Sequence, residues 1–187
     1  MKIGVYWTAG KLARLLSFFF GLFPIAFPTH AQEDRLVVVE YAWSSNVDRT
    51  SRDYLRPPHG RRAPVRPLYF WMRVRGNSAA LDQLLTDGAL PIRHKWYRYV
   101  GPVIDPVQDS PSFDKELFVG AQRQSVIQAL RREVEQTGYF HWRVWSVKEV
   151  VWPSVWEVRV VSADDQSLLC KVGKDLQPCQ VRIRVAR

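Results

Sequence analysis

The sequence predicts a mainly β domain, an immunoglobulin-like β-sandwich of about seven strands with one inserted amphipathic helix. Three observations carry that prediction. Short runs are crowded with Val, Ile, Trp, Tyr and Phe. Most of those runs alternate apolar and polar residues with a period of two, as a half-buried strand requires. Turn residues separate the runs, the pattern of an antiparallel sandwich with one wet face per sheet.

Taken in order, Leu36 to Trp43 is β-branched and aromatic with no helical period. Leu68 to Arg75 starts apolar and then alternates, with Leu68, Phe70, Met72 and Val74 on one face. Ile92 to Tyr99 sets Ile92, His94 and Trp96 against Arg93, Lys95 and Tyr97. Tyr139 to Lys148 is an aromatic strand that sends Trp142 and Trp145 to opposite faces. Val155 to Val161 turns Trp156, Val158 and Val160 inward. Leu168 to Val172 follows, and Gln180 to Val185 closes the series with Val181, Ile183 and Val185 in and Arg182 and Arg184 out.

Two helical segments interrupt the strands. Ser78 to Gly88 is short, with Ser78 as the expected cap and Gly88 as the stop. Gln122 to Gln136 is the amphipathic one: Val126, Ile127, Leu130 and Val134 share a face, and Arg123, Arg131, Arg132 and Glu135 surround it. Ser125 is its expected cap and Thr137-Gly138 its end. The stripe is expected to pack on the sheet; the rival is a docking face for a partner protein. Asp48 to Pro67 is a basic loop in which Arg49, Arg52, Arg56, Arg61, Arg62 and Arg66 face Asp48 and Asp53. Its Pro57-Pro58 and Pro64 exclude helix and central strand. Gly101 to Pro111, with Pro102, Asp105, Pro106 and Asp109, reads as a second loop.

Residues 1–31 have the order of a secretory signal. Lys2, Lys11 and Arg14 precede the apolar run Leu15 to Phe27, and Pro28-Thr29-His30-Ala31 offers a cleavage site. The run is shorter than the roughly 20 residues a spanning helix needs. Cleavage after Ala31 leaves residues 32–187 as a single domain and lowers the net charge from +9 to +6. Export excludes nucleic acid and nucleotides as partners. It points a basic domain at an envelope polymer, a lipid surface or an envelope protein. An uncleaved signal serving as a membrane anchor is the less favoured alternative to a periplasmic or secreted chain. The two cysteines, Cys170 and Cys179, flank a Gly- and Pro-bearing turn, so an exported chain is expected to join them in a disulfide that closes a hairpin. The spacing does not fit a CxxC redox pair, and two thiols are too few for a metal.

The chain has no phosphate-binding glycine loop, no HExxH and no GxSxG elbow. His94 and His141 both sit in strands beside tryptophans, where one sheet could bring them together, but a third ligand is lacking and no metal or other cofactor is expected. Ser146 and His141 face opposite sides of one strand, which argues against a Ser-His pair there. A hydrolase using His94, His141 and an acid such as Asp105 is the weakest reading. The stronger signal is the interleaving of arginine with tryptophan, used both by ligand platforms and by arginine-stacked structural faces. Arg61, Arg62, Arg143, Trp145, Trp96 and His94 are the ligand-contact candidates.

Three segments carry a resemblance. His94-Lys95-Trp96-Tyr97, Phe140 to Lys148 (Phe-His-Trp-Arg-Val-Trp-Ser-Val-Lys) and Trp156 to Asp164 (Trp-Glu-Val-Arg-Val-Val-Ser-Ala-Asp) resemble the HxW, WRxWSxK and WxVxVVxADG pattern of an uncharacterised bacterial family, the domain of unknown function twenty-nine fourteen. The similarity spans roughly Leu68 to Val185. It implies an exported or membrane-tethered domain, a β-sandwich, and no established activity, so it carries over no site residue. The chain departs from the pattern where Pro153-Ser154-Val155 replaces a glycine turn and where the 122–136 helix is inserted. The reading that follows is a non-enzymatic binding or accessory domain at the bacterial envelope, contacting an anionic or glycan component. The alternative is an envelope assembly or structural protein docking a protein through a sheet edge or the 122–136 helix.

Overall fold

A computed structural model describes residues 36–48, 50–54, 58–88, 90–111 and 123–186. The expected signal segment lies outside the described residues. In chain order the elements are β1 (Leu36–Ser44), β2 (Val47–Asp48), β3 (Asp53–Tyr54), β4 (Arg62–Pro64), β5 (Leu68–Gly76), α1 (Ser78–Asp87), β6 (Ile92–Val100), β7 (Val103–Pro111), α2 (Arg123–Thr137), β8 (Phe140–Lys148), β9 (Ser154–Ser162), β10 (Leu169–Val172), β11 (Asp175–Pro178) and β12 (Gln180–Ala186). Two five-stranded sheets form the sandwich, in the orders β11-β10-β1-β5-β8 and β4-β12-β9-β6-β7.

The alternation read in the sequence sets which side chains meet between the sheets. Val38, Phe70, Met72, Val74, Trp142 and Val144 come from the first sheet, and Ile92, Trp96, Trp156, Val158, Val160 and Ile183 from the second. Each is nearly or fully buried. Trp43 stands edge-on to Trp96 at 5.6 Å between ring centres, and Phe70 lies 5.0 Å from Trp43 and 5.3 Å from the His94 ring. Edge-to-face packing of this kind adds about 0.5–1.5 kcal/mol per pair beyond burial.

The two ends of the sandwich differ. The register pairs Leu36, Gly76 and Phe140 at one end and Ser44, Tyr69 and Val147 toward the other. At the first end α1 and α2 carry the chain across from sheet to sheet, and β8 and α1 are α2's main neighbours. Leu130 is buried there, with Val126 and Val134 packed against the core, so the apolar stripe of the helix faces the sandwich. Gly76 has no alternative at this end, because a Cβ would lie 2.5 Å from the Phe140 ring. The disulfide joins Cys170 to Cys179 across the β10–β11 hairpin, with Cα atoms 4.8 Å apart and both residues in the core. Among the described residues the opposite end holds the links 65–67, 101–102 (the β6–β7 turn) and 149–153 and the exit of the chain from β1 at 45–46.

Several local expectations are corrected. Residues 103–111 are not a loop but the edge strand β7. An edge leaves one side of the backbone unpaired, so Pro106 and Pro111 are tolerated, and the register slips between Trp96 and Tyr97 opposite Pro106. The 48–67 loop contains β2, β3 and the short edge strand β4, which runs parallel to β12. Asn77, not Ser78, caps α1, its side chain accepting from the Ala80 N–H. Gly88 ends that helix at φ 71°. Ser125 lies inside α2, which begins by Arg123. Among the described residues twelve strands form where about seven were expected: each anticipated run is a strand, with 168–172 reduced to the four-residue β10, and β2, β3, β4, β7 and β11 are added.

Candidate functional site

The outer face of the second sheet is built by the residues that alternate away from the core. Cross-strand register arranges them in rows. Arg62 on β4 lies beside Arg184 on β12, and Arg184 pairs with Val155 on β9, which pairs with Tyr99 on β6. In the next row Arg182 pairs with Glu157 and Glu157 with Tyr97. In the third, Gln180 pairs with Arg159 and Arg159 with Lys95. Arg93 closes the face beside Val161.

Glu157 organises the middle of this face. Its carboxylate is inaccessible to solvent and accepts from Tyr99 Oη at 2.7 Å, Arg159 Nε at 2.6 Å and Arg182 Nε at 2.5 Å. Burial pushes the carboxyl up, but the hydrogen bonds from Tyr99, Arg159 and Arg182 outweigh it and hold Glu157 below its ordinary range. The guanidinium of Arg159 lies 4.2 Å from the Tyr97 ring centre and that of Arg182 4.9 Å from Tyr99. Asp165, in the turn after β9 at φ 65°, bridges Lys95 at 2.8 Å and Arg93 at 3.1 Å. Among the residues whose side chains are described the face therefore holds six cations (Arg62, Arg93, Lys95, Arg159, Arg182, Arg184) against two carboxylates, and the register sets Asp109 of β7 opposite Lys95. Arg62, Arg182 and Arg184 are exposed.

The ligand-contact candidates separate into three places. Arg61 and Arg62 are exposed at the β4 edge of the basic face, where the Arg61 carbonyl accepts from the Arg184 N–H. Arg143 and Trp145 lie on the outer face of the other sheet, so they share no surface with Arg62. The β2–β3 hairpin covers part of that face. Trp71 is buried there against Ala42 and Val47, with Tyr54, Tyr69 and Trp145 packed around, and Trp71 Nε1 donates to the Arg52 carbonyl at 2.9 Å. The Arg52 guanidinium sits 4.6 Å from the Trp142 ring centre and 5.4 Å from Trp145 and donates to the Arg143 carbonyl at 2.7 Å. Trp145 is thus part of an arginine-stacked structural face, and Arg143 stands exposed beside it.

His94 and Trp96 are fully buried and present nothing to a surface ligand. Their partner is Ser146 on the opposite sheet. Trp96 Nε1 donates to Ser146 Oγ at 2.9 Å, and Ser146 Oγ lies 2.8 Å from His94 Nδ1. The hydroxyl has a second lone pair as well as its hydrogen, so whether Ser146 donates to Nδ1 or accepts from it follows the tautomer of the neutral imidazole. Burial pulls the His94 pKa down to about 3. His94, Trp96 and Ser146 thus meet in the core as one polar bridge between the sheets. His141 is on the other sheet from His94 and faces solvent, 2.7 Å from Glu133 of α2, so the two histidines are not brought together. Among the described residues no group of three or more His, Cys, Asp or Glu gathers as a metal site, and no helix is long and apolar enough to cross a membrane.

Sequence reasoning marked Arg182 and Arg184 as outward but did not join them to Arg62, because the parallel pairing of β4 with β12 has no local signature. The available signal was the alternation itself, which also sends Arg93, Lys95 and Arg159 outward. Comparison with protein-family models, curated proteins and solved structures finds no match for this chain.

Proposed function

We propose that this chain is an exported, non-enzymatic binding domain that contacts an anionic or glycan component of the bacterial envelope through the outer face of its second sheet. The observation that supports it is the charge of that face. Glu157 and Asp165 are engaged by Arg159, Arg182, Lys95 and Arg93, and Arg62 and Arg184 remain side by side and exposed. Like charges directly opposite one another are unfavourable in a sheet, and a bound anion between them relieves that cost.

Co-sedimentation with isolated cell wall at low and high salt tests the reading. Binding is expected to fade with salt. The double variant Arg62→Ala/Arg184→Ala is expected to weaken it roughly 2- to 30-fold, as the loss of two exposed charge contacts implies. Binding that ignores both salt and the variant rejects the reading. It would favour a protein partner at a sheet edge, for which β11 is the observed candidate: all four of its residues are exposed, Leu176 among them. Docking of that kind survives high salt.

A further inference from the structure

The end of the sandwich away from the helices is where this chain leaves its apolar side chains in water. Val65, Val100, Val103, Ile104, Val150 and Trp152 all lie in or beside three of the links at this end, each between 42% and 60% exposed. The remaining large exposed apolar residues among those described, Tyr139, Val172 and Leu176, belong to other regions. Single exposed aliphatics need no explanation, whereas six at one end do. The backbone at Trp152 is held, because Trp156 Nε1 donates to its carbonyl at 3.0 Å. Trp152 lines an open cleft of about 310 Å3 with Val150, Lys148 and the Arg98–Asp105 ion pair. Around this end the described charges are Arg62, Arg66, Arg98, Lys148 and Arg184 against Asp105 and Glu149.

We propose that this end is a bilayer-docking apex, which enters the headgroup boundary of an anionic membrane with Trp152 and the surrounding valines and isoleucine while the cations of its rim meet lipid headgroups. The proposal rests on the reading of the protein as an envelope-surface binder and names phospholipid as the surface. Interfacial depth is where an indole ring is most at home, and a basic rim adds attraction to an anionic leaflet. A glycan would stack on the tryptophan but find no use for four valines and an isoleucine. A second copy meeting this one end to end would bring two positive rims together.

The test is sedimentation of the full chain with phosphatidylglycerol–phosphatidylethanolamine vesicles, with phosphatidylcholine vesicles and with isolated cell wall. It compares the wild type with Trp152→Ala, Val103→Asp and Arg62→Ala/Arg184→Ala. All four proteins share residues 1–35, so differences between them read the substituted sites alone. Trp152 and Val103 are mostly exposed, so both variants are expected to keep the wild-type thermal transition. Trp152→Ala is expected to weaken partition into the anionic vesicles roughly 10-fold or more, the value of one buried large apolar side chain. Val103→Asp is expected to weaken it further, and the blue shift of tryptophan emission on adding vesicles should shrink in Trp152→Ala. If the arginine variant alone loses binding, the apex proposal is overturned and the basic-face reading stands. The same holds if the wild type sediments with cell wall but not with vesicles. A wild type that sediments with neither removes both readings. A concentration-dependent dimer abolished by Trp152→Ala, without vesicle binding, overturns the proposal in favour of a second copy.

Discussion

At the residue scale, the polar bridge of His94, Ser146 and Trp96 and the buried Glu157 show two ways of placing a titratable group in this domain. Glu157 keeps its charge because three donors converge on it. His94 gives its charge up: it is fully buried, a serine hydroxyl lies at its Nδ1, and burial alone sets its shift. The consequence for stability has a definite sign. With a folded pKa near 3 against about 6.5 in the unfolded chain, the unfolded state takes up the proton first as pH falls. His94's contribution is therefore complete above pH ~6.5 and is lost at up to about 1.4 kcal/mol per pH unit below it, until the folded pKa is reached. Urea unfolding midpoints measured from pH 7 to 5 should fall in the wild type and fall less steeply in His94→Gln. His59, also shifted down by burial and by Arg66, adds a slope in the same direction to both proteins, so the difference between them isolates His94. Equal slopes would show that His94 does not stay neutral in the fold.

At the scale of elements, the β10–β11 hairpin is a minor piece of sheet with all of β11 exposed, and the disulfide across it connects the first sheet to the second, since Cys170 lies in β10 and Cys179 immediately precedes β12. Closing so short a loop contributes roughly 2–3 kcal/mol. Reduction, or Cys170→Ser/Cys179→Ser, is expected to lower the melting temperature by several degrees, at about 2–4 °C per kcal/mol for a domain of this size, with the loss confined to the oxidised protein when reductant is added. This element was legible in the sequence because cysteine spacing, Gly173 and Pro178 are all local. The strands with Leu68, Ile92, Val155 and Gln180 at their starts were legible for the same reason, a period of two visible in a few residues. Strand β7 was not, because an edge strand needs no alternation and accepts prolines that forbid a central one. The site was partly legible: each outward arginine could be read, but that Arg62 stands next to Arg184, and Arg143 on the far side, is a property of sheet order. Reading His94 and Trp96 as ligand contacts failed because a buried polar residue reads like any inward position until its partner, fifty residues away on the other sheet, is placed.

At the scale of the whole molecule, the topology ties the two ends of the chain together in both sheets. In the first, β10 runs parallel to β1, pairing Leu169 with Val37. In the second, β12 lies between β4 and β9 and pairs with both. Neither sheet is closed until the last residues arrive, and such distant pairings must overcome loop-closure entropy before they stabilise anything. The C-terminal strand is the sharpest case. It supplies Ile183 and Val185 to the core, covers the flank of β9 where Trp156 and Val158 are buried, and presents Arg182 to Glu157. Ending the chain before Gln180 removes all three while leaving the disulfide intact. The β9 backbone would lose its β12 ladder, β4 would lose the strand it pairs with, and the Glu157 carboxylate would lose the Arg182 guanidinium. Truncation after Cys179 is therefore expected to abolish the cooperative thermal transition and the near-ultraviolet circular dichroism of the packed tryptophans, with strand signal in the far ultraviolet reduced rather than shifted. A truncated chain that still melted cooperatively with its tryptophan signal intact would show that β9, β6 and β7 hold the second sheet without its final strand.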